Sequence, residues 1–394
     1  MMRRKYLLLI IVVGILLSFC ASPPVNLVPL GAETVTIPAS AAAPNQTTTT
    51  PRPTNTQTPT KQKAEPTPIP ATFILEPTPI PITEIIFTGS LVPARCVQEA
   101  VDQRGQADFL YDDVRSMISE ADLAVGTLNA TISDFPPHTG CIQTFVLVGG
   151  ANNAEAMAGA GFDLMSLATN HIKNCGLTNC GDRAFFETLD NLHRVRIDTV
   201  GAGEDLGAAL APVVVTLHGT RFGFVSLGEI EPSAFASTNS PGIAVLTDEN
   251  LVTSIAALQA ISDVVIVMPH WGPEYSPMPS YAQLRLAQVA VEAGADLVVG
   301  NHAHVIQGYQ NVQGIPVFYG LGSFVFDQSW SLETQQGLVL RVRFLGKQLL
   351  DFELIPVHID PNGHVYPADP LEAQQIITRI DAVNDRIPKL FGEK

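Results

Sequence analysis

After residue 83, short apolar runs alternate with amphipathic stretches, and this alternation restricts the chain to few architectures. The runs are too short for helices and lack the polar alternation of exposed strands, so they indicate strands buried on both faces of a sheet. They are TEIIFTG, ADLAVG, FDLMSLA, FGFVSL, DVVIVM, ADLVVG and IPVFYG. Because helical patterns lie between several of them, we expect an α/β domain with mixed sheets flanked by helices.

Three stretches have helical spacing, namely DRAFFETLDNL, TDENLVTSIAALQAI and SYAQLRLAQVAVEAGAD. The second opens with a capping residue and acidic residues and predicts a buried face on Val252, Ile255, Leu258 and Ile261. Further along, GLVLRVRFLGKQLLDFELIPVHI alternates apolar and polar residues, which predicts a hairpin turning at Gly346 and Lys347. A final helix is predicted over DPLEAQQIITRIDAVN.

The N-terminus has the layout of an export signal. Basic residues (Arg3, Arg4 and Lys5) precede an apolar run that is short for the ~20 residues of a membrane span. Cys20 follows in LSFC, which is similar to a lipoprotein cleavage site. We expect residues 1–21 to be a signal peptide or a membrane or lipid anchor. The protein is then exported and held at the cell surface by the N-terminal helix or by a lipid, with full release as the alternative.

Residues 22–83 are rich in Pro, Thr and Ala and show no apolar periodicity. Such a segment cannot bury enough apolar surface to offset its chain entropy, so it is predicted to be a disordered stalk before a domain at 84–394. The whole chain has 22 basic and 38 acidic residues and a net charge of −16. A nucleic-acid partner is therefore not expected, because a phosphate-backbone binder needs the opposite sign.

Four cysteines besides Cys20 lie in the predicted domain: Cys96, Cys141, Cys175 and Cys180. An even number in an exported protein predicts disulfides, and three pairings are possible. Cys175 with Cys180 closes the shortest loop, which leaves Cys96 with Cys141. A zinc site built on Cys175 and Cys180 is the alternative, but it lacks two of the four ligands.

Polar residues follow five of the predicted strands. In open α/β sheets the loops at the carboxyl ends of the strands build the site. The residues are Ser90, Asn129, Thr169, Asn170, His171, His270, Glu274, Asn301, His302 and His304. Four of the nine histidines thus fall at three strand ends. A single histidine is usually a structural residue, but this coincidence favours a metal site, because neutral imidazole is the commonest transition-metal ligand.

The segments SLATNHIKNCG, MPHWGPEY, EAGADLVVGNHAHVIQG and IPVFYGLGSFVFD, in this order, resemble the CapA (capsule and poly-γ-glutamate synthesis) family of the calcineurin-like metallophosphatase superfamily. The resemblance runs from about Ile85 to Ile359. It implies a metallophosphatase-like α/β sandwich with one or two divalent ions, zinc or manganese. The implied partner is a surface polymer, either capsule polysaccharide or poly-γ-glutamate, or the complex that makes it.

The resemblance also implies roles for the residues at the strand ends. His171 is predicted to be catalytic, as a proton donor or an orienting group. The predicted metal positions are Asn129, Asn170, His270, His302 and His304. The predicted substrate-contacting positions are Ser90, Glu274 and Asn301.

Two departures from the family pattern weaken the predicted metal centre. The family has Gly-Asp where this chain has Gly89-Ser90, and Asn-Leu-Glu where it has Thr127-Leu128-Asn129. Two divalent ions about 4 Å apart repel each other unless anionic ligands offset the charge. The remaining ligands are neutral, so a single zinc held by three histidines, or no metal at all, is expected in place of a full dinuclear site.

Three functions are compatible with the sequence. The first is a metal-dependent hydrolase acting on a phosphoester or amide bond. The second is a non-catalytic scaffold in surface-polymer assembly, which the missing carboxylates favour. The third is a polymer-binding module that uses exposed aromatic residues near the site, such as Trp271, Tyr275 and Tyr281, although packing is the commoner role for such rings.

Overall fold

A computed structural model describes residues 81–175 and 180–388. The strands in this part are β1 (Ile82–Leu91), β2 (Leu123–Leu128), β3 (Thr131–Ile132), β4 (Val148–Gly149), β5 (Leu164–Ser166), β6 (Asp198–Val200), β7 (Ala202–Gly203), β8 (Val213–Leu217), β9 (Thr220–Gly228), β10 (Gly242–Ile243), β11 (Val264–His270), β12 (Leu297–Val299), β13 (Tyr309–Val312), β14 (Ile315–Phe318), β15 (Ser323–Val325), β16 (Gln336–Leu345), β17 (Gln348–Ile359) and β18 (Val365–Pro367). The helices are α1 (Cys96–Arg104), α2 (Arg115–Ser119), α3 (Asn152–Ala160), α4 (Arg183–Arg194), α5 (Leu206–Ala209), α6 (Asp248–Gln259), α7 (Tyr281–Ala293) and α8 (Pro370–Asn384).

Two mixed sheets form the centre of the fold. The larger has the order β18-β17-β16-β1-β2-β5-β6, with β15 also paired to β1. Its β1, β2, β5 and β6 are parallel, whereas β16, β17 and β18 continue the sheet as antiparallel strands. The smaller sheet has the order β13-β14-β12-β11-β9-β8, and its four central strands are parallel. The predicted mixture of parallel and antiparallel strands is confirmed.

Apolar side chains from both sheets meet in one buried layer. It includes Ile85, Phe87 and Val125 from the larger sheet and Phe222, Phe224, Val264 and Ile266 from the smaller. Helices α1 to α4 pack on the outer face of the larger sheet, and α6 and α7 pack on the outer face of the smaller. The arrangement is therefore a helix–sheet–sheet–helix sandwich, which confirms the predicted α/β sandwich of sheets flanked by helices.

The seven predicted apolar runs coincide with β1, β2, β5, β9, β11, β12 and β14. The predicted hairpin is β16 and β17, which turn at Gly346 with a positive φ of 57°. The predicted helices are α4, α6, α7 and α8. Helix α7 begins with a capping box between Ser280 and Gln283 and ends at Gly294, whose φ of 104° closes the last turn.

The buried face of α6 differs from the predicted one. Leu251, Ile255 and Leu258 are buried, whereas Val252 and Ile261 are each 44% exposed. The predicted stripe advanced by three residues at every step, and such a stripe drifts around a helix with 3.6 residues per turn. The observed spacing of four and then three residues follows the helix period and keeps one face against the smaller sheet.

The cysteines form the predicted disulfides, Cys96–Cys141 and Cys175–Cys180. The alternative of a zinc site at Cys175 and Cys180 is therefore wrong for this structure. The Cys96–Cys141 bond joins the start of α1 to the loop after β3, which lines the cavity described below.

The signal or anchor at residues 1–21, with Cys20, and nearly all of the stalk at 22–83 lie outside the described residues. Within the described part, β1 begins at Ile82 and Thr83 is already buried. Among residues 81–175 and 180–388, no helix has both the length and the apolar composition that crossing a membrane requires.

Substitutions on α6 test its buried face. Ile255→Ala should lower the free energy of unfolding by about 2–5 kcal/mol, because it leaves a cavity under a fully buried side chain. The matched change Val252→Ala, on the half-exposed side, should change it by less than about 1 kcal/mol. Urea unfolding followed by circular dichroism measures both values. Equal losses at the two positions would contradict the observed helix orientation.

Candidate functional site

Three side chains from two sheets converge at the carboxyl ends of β5, β11 and β12. The Nε2 atom of His270 lies 3.0 Å from Oδ1 of Asn170 and 3.1 Å from Nδ1 of His302. All three residues are buried. Asn170 follows a strand of the larger sheet, whereas the two histidines follow strands of the smaller sheet, so the cluster lies where the two sheets meet.

The protons of this cluster cannot satisfy all of its buried atoms. Nε2 of His270 faces an amide oxygen and a second imidazole nitrogen, while its own Nδ1 is buried without a hydrogen-bond partner. A neutral imidazole carries one N–H, so whichever nitrogen holds the proton, Nδ1 stays unpaired. With the protons on Nδ1 of His270 and Nε2 of His302, the lone pairs of both rings and of Oδ1 of Asn170 face one another, which is an arrangement that a cation satisfies.

The donor atoms fit one divalent ion. Ligands at roughly 2.0–2.2 Å from a metal lie about 3–3.5 Å from each other, and Nε2 of His270 lies about that far from the other two atoms. His304 stands apart from them, because its ring centroid is 6.0 Å from that of His302. Among the described residues, no three His, Cys, Asp or Glu side chains are grouped so that they could hold a metal ion. The set that converges is therefore two imidazoles and one amide oxygen, without the three-histidine grouping that the sequence predicted.

Asn301 lies at the base of the cluster and ties the two sheets together. Its side-chain amide donates to Oγ1 of Thr127 at 2.8 Å and to the carbonyl of Thr88 at 3.3 Å, both on the larger sheet. Its backbone N–H donates to the carbonyl of Pro269 in β11. The structure thus places Asn301 as a buried link and not at the surface of a cavity, where a substrate-contacting residue was predicted.

His171 is held by two asparagines. Its backbone N–H donates to Oδ1 of Asn129 at 3.1 Å, and its Nδ1 lies 2.9 Å from Oδ1 of Asn174. That oxygen also accepts the N–H of Leu147, so it acts as an acceptor and Nδ1 of His171 carries the proton. Nε2 then keeps its lone pair. The side chain of Asn129, predicted as a metal position, thus holds the backbone of His171.

Ser90, predicted to contact substrate, is fully buried in β1 between Thr127 and Ser323. Its Oγ has no hydrogen-bond partner, and the same is true of Nδ2 of Asn129. The two positions at which the family pattern has carboxylates are therefore occupied by buried neutral groups.

A cavity of about 450 Å³ opens beside this cluster. Its walls include three of the residues predicted for the site, His171, Glu274 and His304. Its other lining residues are Arg95, Gln143, Thr144, Phe145, Leu147, Tyr275, Phe326, Gln328 and Trp330. Pockets of this size, partly apolar with a few placed polar groups, are typical of ligand sites.

Several of these lining residues were not predicted from the sequence. Arg95 forms a buried ion pair with Asp327, and Gln328 and Trp330 follow β15 directly after it. A sequence signal for these residues existed. The last segment of the family resemblance ends in FVFD, and the residues DQSW, which begin at Asp327, follow this strand as polar residues follow the other strands. Trp271, predicted to be exposed, is buried and donates from Nε1 to the carbonyl of Tyr319. Tyr281 is 70% exposed and lies outside the cavity lining.

Burial keeps the histidines of the site neutral. Desolvation, together with the neighbouring imidazoles, lowers the pKa of His302 to about 4 and holds the pKa values of His270 and His304 well below the usual range. Burial also lowers the pKa of His171. At neutral pH all four rings therefore offer a free lone pair for a metal or a proton.

The fold and the site define an α/β sandwich protein with a buried His–Asn cluster beside a cavity. The family model described as "Bacterial capsule synthesis protein PGA_cap" matches residues 84–328, and the chain belongs to this family. It is 27% identical over 278 residues to the PGA biosynthesis protein CapA of Bacillus subtilis, covering 69% of this chain and 70% of that one. It is 29% identical over 279 residues to the capsule biosynthesis protein CapA of Bacillus anthracis, covering 69% and 66%. A solved structure described as a novel phosphatase of Mycoplasma pneumoniae aligns with a TM-score of 0.43 at 13% identity, covering 76% of this chain and 99% of that chain.

The pH dependence of stability tests the burial of His302. Its folded pKa of about 4 lies below the unfolded value near 6.5, so the unfolded state binds more protons as the pH falls through this window. In EDTA, lowering the pH from 7 to 4.5 should remove about 2–3 kcal/mol of stability through this residue alone. Urea titrations should show a loss smaller by that amount in His302→Gln. His193→Gln, on the exposed side of α4, controls for the loss of a histidine, and an unchanged loss in His302→Gln would contradict the assignment.

Proposed function

We propose that the protein is an exported, surface-anchored member of the capsule synthesis family that hydrolyses a bond in a surface polymer. In this proposal one divalent ion, zinc or manganese, is held by Asn170, His270 and His302. The observation that carries it is the approach of Oδ1 of Asn170 and Nδ1 of His302 to Nε2 of His270, at 3.0 and 3.1 Å, in a buried cluster beside a cavity. Two neutral imidazole nitrogens and one amide oxygen are a donor set that transition metals accept, which supports an ion at this point.

A single ion fits these residues better than two. Every donor in the cluster is neutral, and the buried Ser90 and Asn129 supply no charge where a bridging or second-ion carboxylate is needed. Neutral imidazoles suit zinc and other transition metals. When bound, such an ion would polarise a carbonyl or phosphoryl oxygen and lower the pKa of a water molecule.

His171 is the residue we assign to proton transfer. Its ring lines the cavity, its orientation is fixed by Asn174, and its Nε2 has a free lone pair. Burial lowers its pKa, so it is a base at neutral pH that can accept a proton from an attacking water and return it to the leaving group. Asn129 and Asn174 act as positioning residues that hold the imidazole toward the cavity.

The substrate class follows from the relatives. Their names assign them to PGA biosynthesis and to capsule biosynthesis, which points to a surface polymer, either capsule polysaccharide or poly-γ-glutamate, or its synthesis complex. The basic and apolar N-terminus supports export and anchoring by a helix or by a lipid at Cys20. Two disulfides support an oxidising compartment.

A non-catalytic scaffold is the second candidate. The neutral, fully buried Ser90 and Asn129 favour it, because a hydrolase with the complete family pattern would have carboxylates there. In that case the cavity binds the polymer without cleaving it. Metal content and turnover separate the two functions.

Metal analysis of the full-length protein tests the ion site. After loading with zinc or manganese and dialysis, about one ion should remain per chain, and His270→Ala and His302→Ala should each lose it. His193→Ala, a histidine on the exposed side of α4, should retain it. Plasma mass spectrometry measures the ratio. No bound ion in the wild-type protein with either metal would favour the scaffold.

Kinetics of His171→Ala test the proton-transfer assignment. The variant should lose about 10²- to 10⁴-fold in kcat, because a positioned base is removed, while metal content stays at the wild-type level. Turnover would be followed on γ-glutamyl peptides and on a nitrophenyl phosphodiester. An unchanged kcat on a substrate that the wild-type protein cleaves would contradict the role of His171.

A further inference from the structure

A second cavity of about 500 Å³ adjoins the first, and the two share Tyr275 and Trp330 as common walls. The ring centroids of this pair are 5.8 Å apart with planes at 75°, in an edge-to-face contact. Both rings are accessible, since Trp330 is 52% and Tyr275 is 44% exposed. We call the two cavities and the aromatic pair between them the aromatic groove.

The backbone fixes the aromatic wall to the His–Asn cluster. Tyr275 has a positive φ of 59° and donates its N–H to the carbonyl of Ala303, between His302 and His304. A non-glycine residue in this conformation costs about 1–3 kcal/mol and persists where the surroundings enforce it, often at ligand sites. The hydroxyl of Tyr275 accepts a hydrogen bond from Nε2 of Gln328 at 3.0 Å. The ring is therefore held in place before any ligand binds.

Gln328 carries an unpaired acceptor in the groove. The residue is 5% exposed and lines the first cavity, and its Oε1 is buried without a hydrogen-bond partner. Its backbone carbonyl accepts a hydrogen bond from Oγ1 of Thr334, which fixes the backbone from which the side chain extends. A buried amide oxygen costs free energy until a donor pairs with it. An O–H or N–H group of an occupant would satisfy this oxygen.

The charges of the groove argue against a polyanion. Two cations line it among the described residues, and Arg95 is already paired with Asp327 in a buried ion pair. Arg379 donates to Oε1 of Gln336 and is influenced by the carboxylate of Glu333, which lines the same cavity. Glu274 adds a further negative charge, and the whole chain carries −16. A chain with one carboxylate per unit would meet a repulsive field on approach.

We propose that the aromatic groove binds a neutral, hydroxyl-rich chain, namely a polysaccharide, with sugar rings packed against Trp330 and Tyr275. The apolar C–H faces of a sugar ring cover aromatic surface, and its hydroxyls donate to Oε1 of Gln328. The charges of the groove favour such a neutral chain over the polyanion poly-γ-glutamate. This inference rests on the surface-polymer part of the proposed function and is independent of hydrolysis.

Fluorescence of the full-length protein tests the groove, because the chain has two tryptophans and one of them, Trp271, is buried. The probes are neutral gluco- and galacto-oligosaccharides, both α- and β-linked, and a poly-γ-glutamate oligomer of equal length. The titrations use EDTA-treated protein at low and high salt. At least one neutral chain should shift the emission of Trp330 and bind at least tenfold more tightly than poly-γ-glutamate at low salt. Binding of poly-γ-glutamate as tight as that of the best neutral chain, or no binding of any neutral chain, would overturn the proposal.

Substitutions of aromatic residues test whether the neutral chain binds in the aromatic groove. Trp330→Ala should weaken the binding of the neutral chain at least tenfold by calorimetry, and Trp330→Phe should restore part of the loss because it keeps an aromatic face. Tyr281→Ala removes an aromatic side chain that is more exposed and lies outside both cavities, so it should bind as the wild-type protein does. Equal weakening by Trp330→Ala and Tyr281→Ala would overturn the assignment to the groove.

The failure of this inference is distinguishable from the failure of the proposed function. Tight binding of a neutral chain to EDTA-treated protein, without turnover after metal loading, supports the groove and contradicts the hydrolase. Metal-dependent turnover of γ-glutamyl peptides, with no binding of neutral chains, supports the hydrolase and contradicts the groove.

Discussion

The site depends on the buried amide of Asn301, which holds the two sheets in register at the point where the functional loops meet. Its side chain donates to β1 and to β2 on the larger sheet, while its backbone is bonded to both sides of His270 on the smaller. Net hydrogen bonds contribute about 1 kcal/mol each, but an unpaired buried donor costs about 1–3 kcal/mol. A slip between the sheets at Asn301 would therefore be costly, and this keeps Asn170 within reach of His270.

The loop that follows Asn301 has an unusual backbone conformation. His302 and His304 both have positive φ, of 115° and 56°, which is uncommon for residues other than glycine. The carbonyl of Ala303 between them accepts the N–H of Tyr275. The same short loop thus presents His302 to the cluster, His304 to the cavity and a hydrogen bond to the aromatic groove. Backbone strain concentrated in one loop is typical of a site in which position matters more than stability.

Much of this arrangement could be predicted from sequence, because strand periodicity and strand ends are local properties. The apolar runs located seven strands, and the residues directly after them located Asn170, His270 and His302. The directions of side chains could not be predicted in the same way. Asn129 turns to the backbone of His171, Trp271 is buried against Tyr319, and α6 buries Leu251 instead of Val252. Each of these depends on contacts between segments that are distant in sequence, as does the groove, which combines Tyr275, Trp330 and Arg379.

The central claim is that Asn170, His270 and His302 form the ligand set of one divalent ion. Anomalous diffraction from crystals soaked separately in zinc and in manganese, with data on both sides of each absorption edge, tests it most directly. We expect one peak, roughly 2.0–2.2 Å from Oδ1 of Asn170, Nε2 of His270 and Nδ1 of His302. No peak at the cluster with either metal, or a peak bound by His304 and not by these three residues, would contradict it.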